Sequence, residues 1–141
     1  AINKIFWEID MTKWIERFKV YQNALAVLEE VCKSYIENKD NIIFKLAVIK
    51  AFEIVFELAW RLVRDYLKEC GIGAKYPLDS LKGAYSKSML MNYYVWLDML
   101  EDKNEVTHSY NPTKADAIAE KIVSKYLKEF YTLLNYLKGS C

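Results

Sequence analysis

The absence of glycine and proline from the first half of this chain limits its fold more than any other feature. Neither residue occurs before Gly71, whereas the turns of sheet-rich folds depend on both. Apolar side chains instead recur at alternating spacings of three and four, the repeat of one face of an α-helix. One such stripe comprises Trp14, Phe18, Tyr21, Leu25, Leu28, Cys32 and Tyr35, and a second comprises Ile49, Phe52, Phe56, Ala59, Val63 and Tyr66. This half of the chain therefore predicts two long helices.

Short polar breaks mark the expected ends of these helices. Residues 38–41 interrupt the apolar pattern, and Asp40 is the expected N-cap of the second helix. Gly71 is the expected stop of that helix. Beyond a loose segment, a short helix is expected from residue 78 or 79 to about 87. A third main helix is expected from about 90 to 109.

The last helix begins with a strong local signal. Asn111 suits the N-cap and Pro112 suits the first helical position. The stripe that follows comprises Ala115, Ile118, Ile122, Tyr126, Phe130, Leu133 and Leu137. Because the connection between the first two helices is short, they are expected to be antiparallel neighbours. The sequence thus predicts an all-α single domain over residues 1–141, an up-and-down four-helix bundle with one additional short helix.

Composition adds a prediction about assembly. The chain contains 4 Trp, 11 Tyr and 6 Phe, more rings than one small bundle can hide. Some aromatic surface is therefore expected at a homodimer interface. The alternative is that the tyrosines are half-buried with their hydroxyls in water.

Charge, hydropathy and cysteine usage narrow the class of protein. With 20 Lys and Arg against 19 Asp and Glu, the chain lacks the charge of a protein that coats double-stranded DNA. No apolar run approaches the roughly 18 residues of a transmembrane helix. Cys32, Cys70 and Cys141 are odd in number and show no disulfide pattern. We therefore expect a cytoplasmic protein in which Cys32 and Cys70 are small buried residues.

Residues able to carry chemistry concentrate between Trp96 and Tyr110. His108 is the only histidine, and Asn104 lies one helical turn before it. Lys103 falls on a mostly apolar stripe, where a lysine must extend to solvent, find an acidic or phosphate partner, or lose its proton. Lys103 and His108 are about 140° apart around a helix axis, so one continuous helix does not point both at one atom. They converge if the helix loosens or if a second subunit supplies one of them.

Other interpretations of this segment stay open. His108 also suits a helix C-terminus, where the dipole favours positive charge, and the acidic run from 98 to 105 is also typical of a solvated face. Glu105 and His108 have the Glu-x-x-His spacing of di-iron bundles. A di-iron centre needs a second Glu-x-x-His pair and two more carboxylates, and only Glu53 and Glu57 are candidates for those carboxylates. We therefore expect no metal and no other cofactor.

Motifs along most of the chain match those of one known family. They are Lys13-Trp14, Arg17-Phe18 and Ala24-Leu25; Phe52-Glu53, Phe56 to Trp60 and Asp65 to Leu67; Pro77, Lys82 and Ala84-Tyr85; and Trp96 to Asn104 with His108-Ser109-Tyr110. In order and spacing they resemble the nucleotidyltransferase-substrate-binding-protein group of the HEPN superfamily, which includes the HepT toxins of toxin–antitoxin modules. The resemblance extends from about Lys13 to Leu137.

The resemblance implies a dimeric helical bundle that is often partnered by a minimal nucleotidyltransferase. Ribonucleases of the superfamily use an Arg followed by a polar residue, and a His separated from the Arg by four to six residues, in a cleft at the dimer interface. By this resemblance His108 is the general acid and base, Asn104 positions the phosphate, and Lys103 stands where Arg is expected. Tyr110 occupies the position at which the partner can adenylylate HepT proteins and silence them.

The predicted nucleotide- or phosphate-binding residues are Lys82, which also stands where Arg is expected, Trp96 and Asp102. Metal-free RNA cleavage needs a base, an acid and a cation, which an imidazole and a basic side chain supply. Lysine, however, lacks the two-pronged contact that arginine makes with phosphate. The predicted function is a HepT-like, metal-independent ribonuclease toxin acting on RNA. The alternative is a non-catalytic subunit that binds a nucleotide or the nucleotidyltransferase. No membrane and no double-stranded DNA are expected as partners.

Overall fold

The computed structural model describes residues 2–90, 92–108 and 111–140, with residues 2–13 as backbone only. Every regular element in these ranges is helical, and none is a strand. The elements are α1 (Ile2–Glu37), α2 (Ile42–Glu69), α3 (Pro77–Ser86), α4 (Tyr93–His108), α5 (Pro112–Lys121), a π-helical turn (Ile122–Tyr126) and α6 (Leu127–Lys138). The last three are continuous and form one long final helix. The predicted all-α, up-and-down four-helix bundle with one short extra helix is confirmed.

The predicted apolar stripes meet in a single core. The α1 stripe is buried throughout, as are the stripe of the final helix and the α2 stripe up to Val63, whereas Tyr66 is half-buried. Phe52 of α2 joins α2 to the final helix, since its ring centroid lies 5.4 Å from that of Tyr126 and 6.1 Å from that of Phe130. Removing such rings from water stabilises the bundle by roughly 1.5–3 kcal/mol each.

The two ends of α2 show how local sequence sets a helix. The N-cap is Asn41 rather than the predicted Asp40, because Asn41 has the extended backbone of a cap and its side chain accepts a hydrogen bond from the Ile43 amide at 2.9 Å. The predicted stop is confirmed. Gly71 adopts a φ of 81°, and the amides of Gly71 and Ile72 bond back to carbonyls of the last turn at 3.1 and 2.8 Å.

The other predicted boundaries differ by a few residues. The short helix begins at Pro77, in the first helical position, rather than at 78 or 79. The helix that follows begins at Tyr93 rather than about 90, because Leu90 is buried in the connection that precedes α4. Asn111 caps α5 as predicted, accepting from the amides of residues 113 and 114 at 3.0 and 3.3 Å.

The cysteine predictions are correct for one residue and wrong for another. Cys32 is buried, and burial, with the nearby charge of Glu29, raises the pKa of its thiol to about 11. Cys70 is exposed, because it caps the end of α2 beyond the buried stripe. Cys141 lies outside the described residues. No helix in the described ranges is long and apolar enough to span a membrane.

Candidate functional site

Helix α4 divides the predicted site residues between a buried face and an exposed face. Trp96 is 1% exposed and lies against Phe56 and Phe130, with ring centroids 6.5 and 5.4 Å away. It is therefore part of the core. Asn104 and His108, one turn apart, are exposed at the C-terminal end of the helix. The polar pair that sequence places on one face is thus accessible from solvent.

Lys103 turns toward α2 and forms an ion pair there. Its Nζ contacts Oε1 of Glu57, and its side chain is only 18% exposed. Of the outcomes expected for a lysine on an apolar stripe, the structure shows the acidic partner. The other oxygen of Glu57 accepts a hydrogen bond from the Trp60 indole at 3.0 Å and lies 3.6 Å from a terminal nitrogen of Arg61.

The charge of Glu57 follows from these contacts. Partial burial acts to raise its pKa, but hydrogen bonds from Lys103 and Trp60, together with the charges of Lys103 and Arg61, outweigh burial and lower the pKa below 4.5. Glu57 is therefore an anion at neutral pH. Lys103 and Arg61 face a carboxylate that offsets part of their positive charge.

Asp102 has partners inside the protein. It is 7% exposed and accepts hydrogen bonds from the Tyr126 hydroxyl and, at 3.2 Å, from Nζ of Lys121. Burial raises the pKa of Tyr126, and the hydrogen bond to Asp102 raises it further. The interpretation of the acidic run as a solvated face is therefore wrong for Asp102. Its contacts tie α4 to the final helix.

Two predicted site residues remain, Lys82 and Tyr110. Lys82 is exposed on α3, and among the described residues no hydrogen bond or ion pair links it to Lys103, Asn104 or His108. Tyr110 lies outside the described residues. Binding by Lys82, Trp96 and Asp102 stays a prediction, as does modification of Tyr110.

Sequence reasoning missed a group of arginines around Trp60. The guanidinium carbons of Arg61 and Arg64 lie 5.7 and 5.4 Å from the centre of the Trp60 ring. Burial lowers the pKa of Arg64, and the positive charges of Arg17 and Arg61 lower it further. The i,i+4 spacing of Glu57 and Arg61 was a readable signal for their pairing. The position of Glu57 and Arg61 beside Lys103 could not be predicted from the sequence, because it depends on how α2 packs against α4.

The structure also bears on the di-iron alternative. In the part of the chain that the structure describes, no group of three or more His, Cys, Asp and Glu side chains is close enough to hold a metal ion. Glu57, one of the carboxylates considered for such a centre, contacts Lys103 instead.

Solved structures define the class of fold. The bundle is similar to a Thermus thermophilus protein, with 27% identity, a TM-score of 0.75 and coverage of 83% of this chain and 98% of that one. It is similar to a nucleotidyltransferase substrate-binding domain from Haemophilus influenzae (24% identity, TM-score 0.70, coverage 86% and 98%). It also shares its fold with a tri-AMPylated Shewanella oneidensis HEPN toxin in complex with its MNT antitoxin (15% identity, TM-score 0.73, coverage 89% and 96%). The chain therefore has the same helical-bundle fold as these proteins.

A sequence comparison identifies the family. Residues 16–139 match the model of a protein family whose description is "Nucleotidyltransferase substrate binding protein like". The chain belongs to this family, which confirms the resemblance found in its motifs. No curated protein matches the sequence.

Proposed function

We propose that this protein is the helical subunit of a two-component system with a minimal nucleotidyltransferase, and that it is a HepT-like, metal-independent ribonuclease. Family membership supports the partnership. A HEPN toxin of the same fold, in complex with its MNT antitoxin, supports a toxin role of the same kind. The observation that carries the proposed activity is the exposed Asn104–His108 pair, one turn apart at the end of α4.

In the proposed reaction the 2′-oxygen of a ribose attacks the adjacent phosphorus, and the bond from phosphorus to the 5′-oxygen breaks. The products are a 2′,3′-cyclic phosphate and a free 5′-hydroxyl. An imidazole accepts the proton of the 2′-hydroxyl, and an imidazolium donates a proton to the leaving oxygen. In a dimer the two His108 side chains supply base and acid. The Asn104 amide holds a phosphate oxygen, and Lys103 stabilises the negative charge of the transition state.

The dimer needs a contact surface, and α2 offers one. Ile43, Leu46 and Ile54 are 71%, 43% and 47% exposed. At 100° per residue they lie on the same face of α2 as Glu57 and Arg61. An exposed apolar stripe of this kind is typical of a subunit interface. We propose that two copies meet along it, so that the interface borders the Lys103 end of α4.

One observation favours the alternative, a non-catalytic subunit that binds a nucleotide or the nucleotidyltransferase. Glu57 holds Lys103 in an ion pair, which reduces the positive charge available to a transition state. Lysine also lacks the geometry of the expected arginine. In this alternative the end of α4 serves recognition, not cleavage.

Cleavage of a mixed RNA substrate in EDTA tests the proposal. Wild type is expected to cleave, and His108→Ala is expected to be slower by on the order of 100-fold or more, the usual contribution of general acid–base catalysis. Thr107→Ala is the matched control. It changes an exposed neighbour whose hydroxyl bonds to its own helix, at Lys103 O, and it should cleave like wild type. Circular dichroism and intact mass establish that each protein is folded and unmodified.

The two candidate functions give different results. If folded, dimeric, unmodified wild type does not cleave, the ribonuclease proposal is refuted. The binding subunit then predicts a rise in melting temperature with ATP, AMP or the nucleotidyltransferase, because a ligand that binds only the folded state stabilises it. No rise with any of them would remove that alternative as well.

A further inference from the structure

We infer that Arg61 binds the phosphodiester of single-stranded RNA beside Lys103 and supplies the guanidinium that position 103 lacks. The inference rests on the proposed ribonuclease function and extends its site from α4 to α2. The family motifs singled out Trp60 and its neighbours on α2, and the proposed mechanism gives them no role.

Glu57 places Arg61 at the site. One oxygen of its carboxylate contacts Lys103 of α4, and the other lies 3.6 Å from Arg61, one turn further along α2. Two cations from different helices therefore share one carboxylate. A phosphate group that reaches Lys103 comes within range of the Arg61 side chain.

Of the three arginines near Trp60, Arg61 has the weakest contact with a carboxylate. Arg17 is ion-paired with Asp65, and Arg64 donates a hydrogen bond from Nε to the same carboxylate at 3.2 Å. The 3.6 Å contact of Arg61 is longer than a hydrogen bond, and its side chain is 58% exposed. The face of Trp60, 5.7 Å away, orients the guanidinium without using its N–H donors.

The charge balance of this surface favours an anion. Its cations are Arg17, Arg61, Arg64 and Lys103, and the carboxylates paired with them are Glu57 and Asp65. The lowered pKa of Arg64, caused by burial and then by the charges of Arg17 and Arg61, shows that the arginines repel one another. A bound phosphate would relieve this repulsion.

Phosphate chemistry explains why an arginine is needed in addition to Lys103. An ammonium group is a point charge, whereas a guanidinium donates two parallel hydrogen bonds to two phosphate oxygens. Arg61 thus provides the geometric positioning, and Lys103 provides charge. Glu57 keeps both cations in place before RNA binds and competes with the phosphate for them.

Two measurements test the inference. Anisotropy of a labelled single-stranded RNA, followed across salt concentrations in the His108→Ala background, reports binding without cleavage. Arg61→Ala should weaken binding about tenfold and reduce the salt slope by about 0.7, the value for one phosphate contact on a single strand. Glu57→Gln keeps an acceptor for the Trp60 indole and removes the competing anion, so it should tighten binding. Lys33→Ala, which removes one exposed charge from α1, is the matched control.

The second measurement is rescue of cleavage, with His108 intact. Arg61→Ala should lower kcat/KM about tenfold or more, and adding Lys103→Arg should recover most of the loss, because one guanidinium is then present again. A purely structural role for Arg61 predicts no such rescue. The melting temperature of Arg61→Ala should match that of wild type, since the Arg61 side chain is 58% exposed.

The outcomes separate this inference from the proposed function. If Arg61→Ala binds and cleaves like Lys33→Ala, or if Lys103→Arg brings no rescue, the inference is overturned and the ribonuclease proposal stands. If wild type neither binds nor cleaves RNA, both are overturned. If Arg61→Ala loses binding of free ATP but keeps RNA binding, the ligand is a nucleotide and the RNA assignment is wrong.

Discussion

The buried pair of Asp102 and Tyr126 allows a quantitative test of what Asp102 does. Tyr126 is 1% exposed and donates its hydroxyl to Asp102. Lys121 bonds to the same carboxylate oxygen at 3.2 Å, but its side chain is 43% exposed. A hydrogen bond to a charged group contributes about 1.5–3 kcal/mol, whereas an ion pair open to solvent contributes less than about 1 kcal/mol. The Tyr126 bond is therefore the larger contribution.

Replacing Asp102 with Ala should lower the free energy of unfolding by about 3 kcal/mol, because the buried Tyr126 hydroxyl loses the one acceptor that it has among the described residues. Tyr126→Phe should cost about 2 kcal/mol, since it removes the stronger of the two hydrogen bonds that Asp102 accepts from described residues. The double variant should lose about 1.5 kcal/mol less than the sum of the single losses, because both remove the same bond. Asp98→Ala, an exposed carboxylate on the same helix, should change stability by less than about 0.5 kcal/mol.

Urea unfolding at neutral pH, followed by far-ultraviolet circular dichroism, measures all four variants. The slope of the unfolding free energy against urea concentration should be the same for all four variants, so that shifts in the urea midpoint report changes in stability alone. If Asp102→Ala unfolds like Asp98→Ala, or if the coupling between Asp102 and Tyr126 is near zero, the structural role is refuted. The prediction that Asp102 binds a nucleotide or phosphate would then be the better account of this residue.

Three further predictions concern stability and assembly. Burial raises the pKa of Tyr126 above 10.0. The stability that the protonated Tyr126 hydroxyl contributes is therefore complete below pH 10.0 and is lost as the pH rises through the folded-state pKa, so the urea midpoint of wild type should fall above pH 10.0. An equal fall in Tyr126→Phe would contradict this assignment. Asn41→Ala should lower the unfolding free energy by about 1 kcal/mol because it removes the N-cap of α2, whereas Asp40→Ala should have little effect in the same urea assay; equal losses would refute the cap assignment. Ile54→Asp should convert the proposed dimer to a monomer in sedimentation velocity, whereas Val27→Asp, on the exposed side of α1, should not; a dimeric Ile54→Asp protein would exclude this stripe of α2 as the contact.

Local sequence determined the helices and most of the core. The spacing of apolar residues is set by 3.6 residues per turn, so the stripes on α1, α2 and the final helix could be read without any tertiary information. The helix ends were less exact. Asp40 and Asn41 are both good capping residues, and only the backbone angles decide which of them is the cap. Leucine favours helices, but Leu90 is buried in the connection before α4, where tertiary packing outweighs its helix propensity.

Tertiary structure decided which residues of the α4 segment face solvent and which have partners. The sequence placed Lys103 on an apolar stripe, but its partner Glu57 lies on another helix, and only the packing of α2 against α4 brings them together. The same packing places Arg61 beside Lys103. Asp102 belongs to a run of acidic residues that reads as a solvated face, yet Tyr126 of the final helix covers it. Helical periodicity specifies which residues share a face, but which neighbour covers that face depends on contacts between residues far apart in the chain.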